Sequence, residues 1–133
     1  MKPVRWIQVL FGIAAVYDAL LGIVFLLIPS WAYQTFQVTP PNHWGYVQFP
    51  AALLIVFAVL FAAIARDPWG NRGLIPYGVG LKVAYCGIVF AYWAASGLPG
   101  IWKPFAIIDL LMLVLFVRAY VALGAAPRGT PRA

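Results

Sequence analysis

The sequence predicts an all-α integral membrane protein, a bundle of four transmembrane helices, and three observations carry that reading. Of the 133 residues, 65% are hydrophobic and only 9% are charged, where an average soluble domain has about 25% charged residues. Mean hydropathy is +0.92, which leaves too few polar side chains to clothe a water-facing surface. Four apolar stretches are each about 20 residues long, the length a helix needs to cross about 30 Å of hydrocarbon. Their polar, Pro- and Gly-containing connections supply the breaks.

The first helix is predicted over 6–28. Gly12 and Gly22 are small enough to admit a neighbouring helix, and Pro29 ends the segment. Lys2 and Arg5 precede it as in a signal peptide. The apolar run is too long for a signal h-region, however, and Pro29-Ser30-Trp31 is no small-residue cleavage site, so a retained helix is expected. The loop 30–46 comes next. Ser30 is a candidate cap for a short helix reaching Phe36. Trp31, Tyr33, Phe36, Trp44 and Tyr46 suit a segment at the membrane interface, and Pro40-Pro41-Asn42 stops any helix there.

The second helix is predicted over 47–65, with Pro50 in its first turn, where a missing N–H costs nothing. Residues 66–73, RDPWGNRG, form a tight turn through Asp-Pro and Gly-Asn, with Asp67 a solvated charge between Arg66 and Arg72. The third helix covers 74–95 and the fourth 104–124, separated by SGLPGIWK. Residues 1–124 thus form one domain, and the Pro/Arg/Gly-rich 125–133 a disordered cytoplasmic tail. Gly22-Ile23-Val24-Phe25 recurs as Gly87-Ile88-Val89-Phe90, and Pro50 and Pro104 each open the following helix, a pattern that raises the question of a duplicated hairpin.

The bases give the orientation. Lys2, Arg5, Arg66, Arg72, Arg118, Arg128 and Arg132 fall on one side of the predicted spans and Lys103 alone on the other. The positive-inside rule then places both termini and the middle turn in the cytoplasm and the long first loop outside, in a plasma (inner) membrane. The net charge of +6 is distributed around apolar segments, so it meets anionic lipid head groups and not nucleic acid.

Lys82 poses the central problem. It lies inside the third span, where a lone ammonium costs about 2.5–3.5 kcal/mol on insertion scales. The chain has three acids, and two of them, Asp18 and Asp109, also lie inside spans. Counting about 1.5 Å of rise per residue from the cytoplasmic ends puts Asp18 about 18 Å deep, Lys82 about 12 Å and Asp109 about 22 Å. A lysine stem can bridge such differences. A buried polar centre is therefore expected inside the bundle, with Asp18 the first-choice partner of Lys82 and Asp109 the alternative. It serves either as an ion-pair lock or as a ligand, proton or catalytic site. Tyr85 and Cys86 share the Lys82 face of their helix, whereas Tyr17, about 100° from Asp18, points to a different face.

Other candidates are local. His43, the single histidine, reads as a hydrogen-bonding loop residue beside Trp44, and Gln48 as a partner for head groups or loop backbone. Tyr77, Tyr85 and Tyr92 form a stripe read as packing. A single cysteine, Cys86, rules out an intramolecular disulfide and a cysteine-ligated cluster. No metal site and no cofactor is expected. The lack of a phosphate loop, a Ser/His/Asp set, a haem-attachment motif or HExxH weighs against an enzyme.

The run Tyr17-Asp18-Ala19-Leu20-Leu21-Gly22 with Phe25, and Asp109-Leu110-Leu111 with Phe116, resemble the small bacterial four-helix membrane proteins of the DoxX-like type. That resemblance implies a respiratory accessory subunit or assembly factor and transfers no catalytic residue. Three functions follow as expectations. The first is an accessory protein docking on a larger membrane complex. The second is a bundle that binds or converts an apolar ligand such as a quinone, sterol-like compound or lipid, with Asp18 or Asp109 as its acid or base. The third is a proton- or ion-coupled transporter working as a homo-oligomer.

Overall fold

A computed structural model describes residues 2–124, all helix and connection with no strand among them. Five helices follow in order: α1 (Lys2–Leu27), α2 (Pro29–Thr35), α3 (Gly45–Arg66), α4 (Ile75–Ala95) and α5 (Trp102–Gly124). All except α2 are long and apolar enough to cross a membrane. The predicted tail 125–133 lies outside the described residues.

The chain forms two antiparallel hairpins, α1 with α3 and α4 with α5, and the two meet chiefly through α1 and α5. α3 and α4 are joined by the turn yet barely touch. Only 22–33% of each apolar span is buried, and what remains outside is Val, Leu, Ile and aromatic, as on Val16, Leu20, Val59 and Leu111. Water would not tolerate that exterior, and hydrocarbon would.

Each boundary has a local cause. Pro29 sits in the first turn of α2 behind Ile28, and no side chain caps it, so Ser30 is not the cap expected of it. Gln37 closes α2 in the left-handed region at φ 56°, and Val38 N–H donates to Tyr33 C=O at 2.9 Å, a Schellman-type closure with glutamine where glycine is usual. α3 begins two residues earlier than predicted. Pro50 therefore falls in its second turn and not its first, so the Tyr46 carbonyl loses its i+4 donor. The side chain of Gln48 donates to Leu26 C=O at 3.1 Å, satisfying a carbonyl that the break at Pro29 leaves open.

At the other end Asn71 Nδ2 donates to Ala63 C=O at 2.8 Å and closes α3. Asp67 is half-buried, and its Oδ1 accepts the Gly70 N–H at 3.0 Å, so it builds the turn instead of standing free in solvent. Arg72 Nε donates to Tyr120 C=O at 3.0 Å with its guanidinium 3.8 Å from the Tyr120 ring, tying the turn to α5. Gly97, at φ +80°, ends α4 by donating to Tyr92 C=O at 2.7 Å.

The core sits at this turn end. Phe11, Phe61 and Phe116 are fully buried and mutually packed, with ring centroids 4.5–5.9 Å apart. Gly78 makes room for Phe61, since a Cβ there would lie 2.5 Å from the Phe61 ring. Gly22 holds α1 against α3, where a Cβ would meet Ala51 O at 2.8 Å. Gly12, expected to admit a helix, has nothing within 4 Å of its Cβ position and faces away. Gly87 is equally open, so the repeated Gly-Ile-Val-Phe plays no equivalent packing role in the two hairpins.

Candidate functional site

The buried residues of α4 are Ile75, Gly78, Lys82, Cys86 and Val89. Their spacing of three or four marks one helical face, and Lys82 stands at its centre. Asp18 occupies the buried face of α1 and Asp109 that of α5. The fold turns these three faces inward together. Lys82 Nζ donates to Asp18 Oδ1 at 3.3 Å and to Asp109 Oδ1 at 3.0 Å. One ammonium thus bridges both acids, and the shorter contact is to Asp109, not to the expected first choice. Lys82 and Asp18 are each 1% exposed and Asp109 7%. The ammonium also lies 5.5 Å from the Tyr17 ring and 5.7 Å from the Phe61 ring.

Asp18 and Asp109 border a cavity of ≈ 360 Å³, and Lys82 is buried behind them. Asp18, Leu21 and Phe25 line the cavity from α1, and Asp109, Phe105 and Trp102 line it from α5. Tyr33 closes it from α2, Leu81 and Tyr85 from α4, and the first half of α3 from Tyr46 to Leu54. Tyr46 and Leu53 are exposed as well as lining, and α3 and α4 hardly touch, which makes that side the mouth. Phe25, Tyr33, Trp44 and Trp102 meet edge-on or tilted, with centroids 5.2–6.5 Å apart, and roof the α2 end. Burial raises the pKa of the Tyr33 hydroxyl, so it stays neutral at physiological pH.

Two polar atoms of this region are buried without a partner among the described residues: Asp18 Oδ2 and the Tyr17 hydroxyl. Tyr17 belongs to the cavity lining beside Asp18, against the expectation that it points elsewhere. The 100° between adjacent residues is narrower than the arc the cavity occupies around α1. The Tyr85 hydroxyl donates to Trp102 C=O at 3.2 Å, and these two residues also line a shallower groove beside the cavity. Cys86 Sγ donates to Ala106 C=O at 3.6 Å and belongs to the α4–α5 contact.

The remaining candidates lie elsewhere. His43 Nδ1 accepts the Gly45 N–H at 2.9 Å, a local hydrogen bond of a loop histidine just ahead of α3. Trp44 packs on Tyr33, and Gln48 serves the α1 end described above. The tyrosine stripe divides: Tyr77 and Tyr92 are 64% and 59% exposed, and only Tyr85 reaches the interior. Trp102 and Phe105 were not singled out from the sequence, and Phe25 and Tyr33 were read there as a resemblance residue and an interfacial aromatic, not as parts of a site. Three of the four could have been so read, because Phe25 is seven residues after Asp18, and Phe105 and Trp102 are four and seven before Asp109.

Among the described residues no three His, Cys, Asp or Glu side chains gather as metal ligands. Comparison with known protein families, curated proteins and solved structures finds no match to the chain.

Proposed function

We propose that this is a membrane-embedded binding protein that holds one amphipathic small molecule between its two hairpins. The polar end of that molecule lies against Asp18 and Asp109, which Lys82 holds from behind, and its apolar part against the aromatic lining. The observation that carries the reading is the unpartnered Oδ2 of Asp18, 1% exposed, in the wall of a ≈ 360 Å³ cavity. A purely structural ion-pair lock gains nothing from a neighbouring void, and an unsatisfied buried carboxylate oxygen costs about 1–3 kcal/mol or more. A pocket of about 300–1,000 Å³ with apolar walls and a few convergent polar groups is the usual form of a small-molecule site.

Placement in the membrane follows the distribution of bases. With both termini and the Arg66–Leu74 turn in the cytoplasm of a bacterial inner membrane, the cavity lies toward the outer leaflet, and its α3–α4 mouth opens to lipid. The DoxX-like resemblance and the accessory-subunit role it implies stand beside this reading. Lipid-facing apolar side chains occur on all four long helices and select no docking face, so the cavity is the more specific guide.

The test is native mass spectrometry of protein extracted gently from its own membranes. The expected result is a small molecule retained at one per chain and lost in Leu54→Trp, which fills the cavity from α3 and leaves the triad residues themselves unchanged. A second polypeptide at fixed stoichiometry, with no small molecule, would replace this reading by the accessory one.

A further inference from the structure

Granting the ligand-binding reading, we infer that the ligand is cationic: an organic monoamine on an apolar, partly aromatic body. Written with both carboxylates ionised and the ammonium intact, the triad sums to −1. Among the described residues Lys82 is the only cation within 4.0 Å of either acid. Arg72 is engaged with Tyr120 at the turn end, and Lys103 stands 4.9 Å from the Trp93 ring. In that ionised form the surplus negative charge has no protein partner, and it borders the cavity.

Geometry gives the same sign. Lys82 Nζ uses Oδ1 of each acid, which leaves Asp18 Oδ2 buried without a partner. An ammonium donating to Oδ2 would balance the triad, two charges of each sign, and satisfy the oxygen in one step. The walls add a third argument. Tyr17, Phe25, Tyr33, Tyr85, Trp102 and Phe105 surround the space with rings whose faces attract cations. A metal ion would want several oxygen ligands, and the lining offers too few.

The test compares two probes of matched shape, 4-phenylbutylamine and 4-phenylbutan-1-ol. Each is equilibrated with the full chain in lipid nanodiscs, and empty nanodiscs are subtracted. The amine is expected to bind at one per chain and at least about tenfold more tightly than the alcohol, the advantage of a charge-assisted over a neutral hydrogen bond. Leu54→Trp removes binding of both probes, and Asp18→Asn brings the amine-to-alcohol ratio toward one. If the alcohol equals or exceeds the amine while Leu54→Trp still removes both, the cavity binds a neutral ligand and the inference is wrong. If the amine preference survives Asp18→Asn, Asp18 is not its origin and the inference is equally wrong. If neither probe exceeds empty nanodiscs, or Leu54→Trp changes nothing, the binding reading itself fails. Should Asp18→Asn not fold, the wild-type ratio and Leu54→Trp decide alone.

Discussion

The two ends of this bundle are built from the same kinds of residue and packed in opposite ways. At the turn end Phe11, Phe61 and Phe116 fill the space completely, and Gly78 gives up its side chain to admit Phe61. At the α2 end Phe25, Tyr33, Trp102 and Phe105 surround a space of ≈ 360 Å³. Aromatic content is therefore not what closes one end and opens the other. The difference lies in how close the helices come. At Phe61 and Gly78, α3 and α4 are held together beside their short connection, whereas beyond it they separate. Helices in lipid gain little from burying apolar surface, because lipid is itself apolar, and packing contacts decide their association. An end left unpacked thus forgoes stability, and the triad sits where the packed end stops.

The comparison breaks most severely at Lys82. Lys82→Met leaves two carboxylates facing each other across the void, and a loss of about 3–5 kcal/mol is expected, the usual cost of orphaning a buried charge. Thermal or denaturant unfolding in detergent measures it. Lys82→Met combined with Asp18→Leu and Asp109→Leu should recover most of the loss, since an apolar replacement of a buried network is often neutral. Wild-type stability in the single variant would mean that the triad does not organise the bundle.

A pair of phenylalanines sharpens the contrast. Phe61→Ala removes a ring that is 0% exposed and packs against three other rings, so about 3–5 kcal/mol is expected. Phe105→Ala takes away a half-buried ring beside a void that already exists, and its cost should be near 1 kcal/mol, the loss of a few dispersion contacts. Equal losses for the two would show that the α2 end is packed as tightly as the turn end.

The four long apolar helices were legible because apolar length and prolines record them directly, and predicted ends fall within a few residues of those observed. The meeting of Lys82, Asp18 and Asp109 was legible through depth, since helical rise fixes the height of a residue to within a lysine stem. Which acid stands nearer was not, because azimuth is recorded by amphipathic contrast, and segments this apolar carry almost none. Tyr17 shows the same blindness, because its angle from Asp18 is fixed but the width of the cavity is not. Caps made by side chains far along the chain, Gln48 on Leu26 and Arg72 on Tyr120, have no local signature at all.

The smallest expected effect tests whether the α2 end is loose by necessity. Gln37 holds φ 56°, a conformation that costs a residue with a Cβ about 1–2 kcal/mol and glycine very little. Gln37→Gly should therefore stabilise the protein by up to about 1 kcal/mol, part of the gain being offset by the greater freedom of glycine in the unfolded chain. A higher unfolding temperature with ligand retention unchanged would show that the α2 roof can be tightened without closing the cavity. A higher temperature with retention lost would show that strain at Gln37 keeps the roof, through Tyr33 four residues earlier, open enough for the ligand. An unchanged or lower temperature would mean that the turn relaxes in the membrane and stores no strain.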